Sequence, residues 1–259
     1  KGKNMKKIIS YSLWGDNPMY NVGAVENAAN AEELYPDWIC RYYVGESVPS
    51  ETLEKLSSKS NTEVILVKSE NDWTSSTWRF LAIDDSDIVI FRDTDSRLTN
   101  RERVAVNEWL ESAKPVHIMR DHPYHTEKIL AGMWGVRSKV LMEVLNKKTK
   151  GEGFNSFRNF IEIGMQQIAK ETELNFKGVD QQLTRAIYHV MENFSYIQDQ
   201  FSLFDDTTNK FSTNYENPND FIGQVYDENN IPTKEFADLL RDAVCKNDPN
   251  HAWKDLETL

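Results

Sequence analysis

A chain of 259 residues, 39% hydrophobic and 27% charged, is long enough to bury a sizeable core and too evenly mixed to be disordered or fibrous. Its 30 Lys plus Arg stand against 41 Asp plus Glu, and a net charge of −11 excludes a surface built to coat nucleic acid or anionic membrane. A phosphorylated ligand would have to be held by a few placed arginines or through a bound metal.

No stretch approaches the roughly 20 apolar residues of a membrane helix, so no integral membrane segment is expected. The opening Lys1–Lys7 lacks the apolar core of a secretory signal. Cys40 and Cys245 are far apart and in no metal-like spacing, as expected of two reduced thiols in a cytoplasmic protein.

In chain order, short runs rich in β-branched and aromatic residues predict strands at Lys7–Leu13, Trp38–Val44, Thr62–Val67 and Asp87–Phe91. Helical patterns separate them at Val22–Leu34, Pro49–Leu56 and Ser75–Ala82. Farther on, the patterns predict a helix over Arg101–Ser112 and strands at Val116–Met119 and Met133–Val136. Helices follow near Ser138–Asn146, Phe157–Lys170 and Asp180–Met191. Asp205–Asn230 reads as irregular coil, and Lys234–Val244 as a closing helix. The alternation of strands and helices, with nearly continuous apolar strands, predicts an α/β fold with a mostly parallel central sheet flanked by helices. No repeat or linker divides the chain, so 1–259 reads as one domain.

In such sheets ligands bind beyond the carboxyl ends of the strands. This separates the chain's two Asp-x-Asp triplets. Asp85-Ser86-Asp87 precedes the fourth strand and reads as a solvated turn, whereas Asp93-Thr94-Asp95 follows it. Two carboxylates there would hold a hard divalent cation and leave its other positions to water and phosphate oxygens. The flanking Arg92 and Arg97 would brace the pair or reach ligand oxygens.

Around this triplet the sequence resembles the GT-A-type glycosyltransferases, enzymes of the nucleotide-diphospho-sugar transferase fold. The resemblance is carried by Trp78-Arg79-Phe80-Leu81-Ala82 before the fourth strand and Arg92-Asp93-Thr94-Asp95-Ser96-Arg97 after it. Further parts are Ser12-Leu13-Trp14-Gly15 with Tyr20, Ile118–Pro123, Gly132-Met133-Trp134-Gly135 and Gly178-Val179-Asp180-Gln181-Gln182-Leu183. These pieces span roughly residues 7–230 and are most similar to a polysaccharide-biosynthesis subgroup.

The resemblance implies a sugar moved from a nucleoside-diphosphate donor to a glycan or lipid-linked acceptor, in the cytoplasm or at the inner face of a membrane. It implies a nucleotide-sugar half at 7–115, an acceptor and catalytic half at 116–230, and a C-terminal helix and tail at 231–259. Asp93 and Asp95 would bind manganese or magnesium; Ser12, Leu13, Tyr20, Arg79 and Thr94 would join them around the donor. Arg120, His122, Trp134 and Gly135 would meet the acceptor. Asp180 and Gln181 would lie beneath the donor sugar in a retaining reaction, while Asp121 would be the general base of an inverting one; retention is favoured. An ordinary role for Asp180 is a helix cap.

The family often supplies a further metal ligand from a C-terminal His. The corresponding Tyr196–Gln200 contains none, and Asp199 or water would replace it. Competing readings are a non-catalytic sugar- or nucleotide-binding relative, a nucleotidyltransferase, and a haloacid-dehalogenase-type phosphatase. The last is disfavoured because its Asp pair follows the first strand.

Overall fold

The computed structural model describes residues 5–68, 71–148 and 153–256. Lys1–Asn4, included in the N-terminal reading, lie outside the described residues. A single seven-stranded sheet in the order β3-β2-β1-β4-β6-β5-β7 forms the centre. Its strands are β1 (Lys7–Leu13), β2 (Ile39–Gly45), β3 (Thr62–Val67), β4 (Ile88–Phe91), β5 (Val116–Arg120), β6 (Trp134–Arg137) and β7 (Ser195–Asp199). Only β6 runs antiparallel to its neighbours, β4 and β5. The helices are α1 (Pro18–Leu34), α2 (Ser50–Ser57), α3 (Asn100–Glu111), α4 (Ser138–Lys148), α5 (Phe157–Ile168), α6 (Val179–Met191) and α7 (Lys234–Asn247).

The two-residue alternation of a strand divides the apolar side chains between the sheet's faces. Ile8, Val89, Phe91 and Trp134 belong to one core, shared with Leu141, Phe157 and Leu183 from α4, α5 and α6. Ile9, Tyr11, Leu13, Ile88 and Ile90 belong to the other, which packs against Ala24, Ala28 and Ala31 of α1 and Val106 and Trp109 of α3. A sheet buried on both faces has no polar side to expose, which is why β4 reads as the unbroken apolar run Ile-Val-Ile-Phe.

The predicted helix at Ser75–Ala82 is instead part of a long 3-10 segment, Trp73–Asp85. Hydroxyl groups account for the tighter coil. Ser76 Oγ donates to the Trp73 carbonyl and Thr77 Oγ1 to that of Thr74, both three residues back. Strand β1 fixes the segment further: Ser10 Oγ donates to the Arg79 carbonyl at 2.7 Å, and Ser12 Oγ accepts from Arg79 N–H at 2.9 Å.

The chain after β7 is irregular, as expected, but it is fastened to the sheet. Tyr226 N–H donates to the Asp95 carbonyl at 2.8 Å, and Ile222 N–H to Asp121 Oδ2 at 2.9 Å. This lays Ile222–Val225 against the carboxyl ends of the central strands. No helix among the described residues is long and apolar enough to cross a membrane.

Candidate active site

A cleft of about 670 Å³ opens there, lined by the ends of β1 and β4, the 3-10 segment, the start of α6 and the post-β7 chain. Ser12, Leu13, Tyr20, Arg79, Asp93, Thr94, Asp95, Asp180 and Gln181 all line it, so residues spread over most of the sequence meet at one place.

Beyond β4 the backbone turns sharply, and Arg97 holds the turn by donating to the carbonyls of Thr94 and Ser96 and to Asn230 Oδ1. Arg92 is buried and turns to Glu102 instead, its Nε meeting Oε1 at 2.7 Å. Two glycines give the acidic turn its space. A Cβ on Gly23 of α1 would lie 1.8 Å from the Thr94 carbonyl oxygen, and one on Gly132 would lie 2.0 Å from Asp93 Oδ2. A side chain at either position would force that neighbour to shift.

The Asp93 side chain is half-exposed at 51%, and Asp95 is partly buried. Loss of hydration and repulsion from Asp93 push the Asp95 carboxyl up to about 7, against a smaller opposing pull from Lys177. Asp95 therefore lacks a full countercharge, and the hard oxygens of the two carboxylates are donors suited to magnesium or manganese. Tyr20 stands beside it; burial first, then Asp95 and Asp93, raise its phenol pKa.

Arg79 is 4% exposed and bridges two carboxylates, donating to Asp93 Oδ1 and Asp180 Oδ2 at 2.5 Å each. Burial alone would lower its pKa, but Asp93 and Asp180 outweigh that and raise it. Asp180 is not a helix cap. Gly178 holds that position at φ 96°, in the left-handed region, and frees the Asp180 carboxylate to meet Arg79. Gln181 clamps the neighbouring loop: its Oε1 accepts from Ala131 N–H at 2.9 Å, and its Nε2 donates to the Ile129 carbonyl.

Four acceptor candidates and the alternative base do not reach the cleft. Asp121 is fully buried, with Arg101 donating to both oxygens at 2.7 and 2.8 Å and Tyr215 Oη and Ile222 N–H adding to them. With all its acceptor capacity used inside the protein, it cannot be a general base. Arg120 is buried against Asp199 at 2.8 Å. That pairing also removes Asp199 as a metal ligand, since its oxygens are further taken by Phe201 and Leu203 N–H. His122 is 2% exposed and donates to the Phe236 carbonyl. Trp134 packs on Phe91 with centroids 4.4 Å apart, and Gly135 fits between Ile90 and Trp109. Among the described residues no third His, Cys, Asp or Glu joins the pair into a metal-binding group.

Further residues line the cleft, some of them assigned no role from sequence. Lys177 sits one position before Gly178, with its Nζ 5.7 Å from the Trp73 ring centroid. Trp73 packs edge-on against Trp14 at 5.8 Å, giving the mouth of the cleft an aromatic wall. His125, Leu130 and Met133 line the opposite end. Proximity to the Gly178 motif was a signal for Lys177; Trp73 had none beyond residue type, and His125 near Pro123 reads as a loop residue.

No family model matches this chain, and no curated protein matches it in sequence. Among solved structures it is similar to the galactosyltransferase LgtC in complex with donor and acceptor sugar analogues, at 11% identity and TM-score 0.47, over 75% of this chain and 73% of that one. It is also similar to 4-diphosphocytidyl-2C-methyl-D-erythritol synthase from Anaerococcus prevotii, at 10% identity and TM-score 0.46, over 79% and 92%. Another is glucosyl-3-phosphoglycerate synthase from Mycobacterium tuberculosis with Mn2+, UDP-glucose and phosphoglyceric acid, at 13% and 0.40, over 73% and 80%. Likenesses this distant carry no functional weight, which falls on the residues of the cleft.

Proposed function

We propose that this chain is a metal-dependent glycosyltransferase that moves a sugar from a nucleoside-diphosphate donor to a hydroxyl of a glycan or lipid-linked acceptor. The observation that carries this reading is the acidic pair Asp93/Asp95 after β4, lining a cleft large enough for a nucleotide-sugar. In the reaction the bond from the sugar's anomeric carbon to the diphosphate oxygen breaks, and a bond to the acceptor oxygen forms. The difficult change is the negative charge left on the diphosphate. Asp93 and Asp95 would hold the manganese or magnesium ion that stabilises that charge as a Lewis acid.

The remaining roles belong to the protein. Lys177 adds a second positive charge on the phosphate side. Trp14 and Trp73 offer the base an apolar wall, beside Ser12, Leu13 and Tyr20. Arg79 is a positioning residue that holds Asp93 and Asp180 at fixed places, and Gln181 fixes the loop ending at Gly132. The burial of Asp121 removes the base an inverting reaction would use, which favours retention. Work in the cytosol, or at a membrane's inner face, accords with this reading.

A second reading is a non-catalytic relative that keeps the nucleotide site, since among the described residues only Asp93 and Asp95 are grouped as metal donors. Donor hydrolysis without acceptor separates the two. Wild type with manganese should release nucleoside diphosphate from its nucleotide-sugar, and Asp93→Asn/Asp95→Asn should not. Nucleotide binding with no release in wild type would establish the second reading.

A further inference from the structure

Part of the cleft has a different chemistry. Leu130, Met133, Ile222 and Val225 line it, and Gly223 brings the His125 ring beside Met133 there. The His125 ring is held from behind. Its Nδ1 accepts from Asp121 N–H at 2.9 Å, and Asp121 is itself immobilised by Arg101. An accepting Nδ1 places the proton of the neutral ring on Nε2. Among the described residues nothing accepts from that Nε2–H, and the partly buried ring lines the cleft. Burial and the neighbouring His122 push its pKa down to about 3, so the ring is a neutral donor and not a cation.

Gly223 keeps the space in front of it. At φ 91° it occupies the left-handed region, and a Cβ there would lie 2.9 Å from Met133 Sδ and 3.5 Å from His125 Nε2. The result is an apolar pocket with one fixed, uncharged N–H donor. A carboxylate or phosphate finds no countercharge there, and a sugar bearing only hydroxyls would leave polar groups against apolar walls. An acetamido group fits both features, with its carbonyl accepting the hydrogen bond and its methyl against Leu130, Met133 and Ile222.

We propose that His125 and this pocket form a specificity subsite for the acetamido group of an N-acetylated sugar. The inference rests on the glycosyltransferase reading and deepens it.

The test measures binding, with manganese present, of matched pairs: UDP-N-acetylglucosamine against UDP-glucose, and the methyl glycosides of N-acetylglucosamine and glucose. A preference in the first pair places the acetamido group on the donor; one in the second places it on the acceptor. Wild type is expected to favour the acetylated member of one pair by about tenfold, the worth of one well-made neutral hydrogen bond. His125→Asn keeps an acceptor for Asp121 N–H but cannot reach as far as Nε2, and should lose the preference. His125→Gln, whose amide nitrogen reaches the Nε2 position, should retain most of it. UDP alone should bind all three proteins equally. Equal binding of both members by wild type, or a preference that survives in His125→Asn, overturns the proposal. If UDP does not bind, the same pairs are run with the nucleoside diphosphate that does; failure of every nucleoside diphosphate to bind would instead strike the glycosyltransferase reading.

Discussion

Arg79 shows how much of the site depends on one side chain. Its guanidinium spans from Asp93, which faces the cleft, to Asp180, which is nearly buried at 8% side-chain exposure. Arg79→Met would leave Asp180 without a countercharge, holding only the Gln181 N–H, while leaving Asp93 to water. Most of the cost falls on Asp180, and a loss of about 3 kcal/mol is expected by denaturant unfolding. Unchanged stability would mean that the bridge does not hold the site together. The two close glycines give a sharper contrast. In Gly132→Ala the new methyl meets the end of the Asp93 side chain, which is able to swing aside; in Gly23→Ala it meets the Thr94 backbone, which is not. Gly132→Ala should therefore weaken manganese binding, read by calorimetry, while costing less than about 1 kcal/mol of stability. Gly23→Ala should cost roughly 1–3 kcal/mol. Equal effects on both quantities would contradict this assignment of the clashes.

Strands β5 and β7, with α3 behind them, are joined by a buried polar chain. His117 and Gln198 meet at 2.7 Å, and Gln198 Nε2 donates to Glu108 Oε2 at 2.7 Å. Since that amide nitrogen faces a carboxylate, Gln198 Oε1 must accept from His117 Nε2–H, leaving Nδ1 buried without a partner. Burial accordingly drives the His117 pKa down to about 3. The unfolded chain takes up a proton near pH 6.5 while the fold does not, so this stability is fully present above that pH and is lost as pH falls toward 3. Between pH 6.5 and 5, wild type should lose up to about 1.4 kcal/mol per pH unit more than His117→Gln, measured by urea unfolding. Parallel pH profiles would refute the buried neutral ring. This part of the molecule was also the hardest to read from sequence. The strands through β4 and most of the helices announce themselves by period and composition, and the acidic pair by its place after β4. By contrast, β7 is five residues of mixed polarity, Ser-Tyr-Ile-Gln-Asp, whose polar members are buried in pairs that only tertiary contact creates. Asp121, Arg120 and His122 misled for the same reason. Three functional side chains in a row after a strand look like a site until Arg101, Asp199 and the Phe236 carbonyl are brought to them.

At the scale of the whole molecule, an acidic protein has to bind an anionic donor against its own field. The described residues bring the Asp93/Asp95 pair, Lys177, Trp14 and Trp73 to a single cleft, and a divalent cation reconciles the net charge of −11 with a diphosphate ligand. Metal and nucleotide should therefore bind as one unit, each poorly without the other. The most direct measurement is the melting temperature of wild type and Asp93→Ala/Asp95→Ala with a panel of nucleoside diphosphates, with and without manganese. A ligand held only by the native state adds roughly 2.7 kcal/mol at a hundredfold excess over its dissociation constant, a rise of several degrees for wild type. The account predicts that rise for at least one nucleotide, only with manganese, and none in the double variant. A shift in neither protein with any nucleotide, or an equal shift in both, would contradict it.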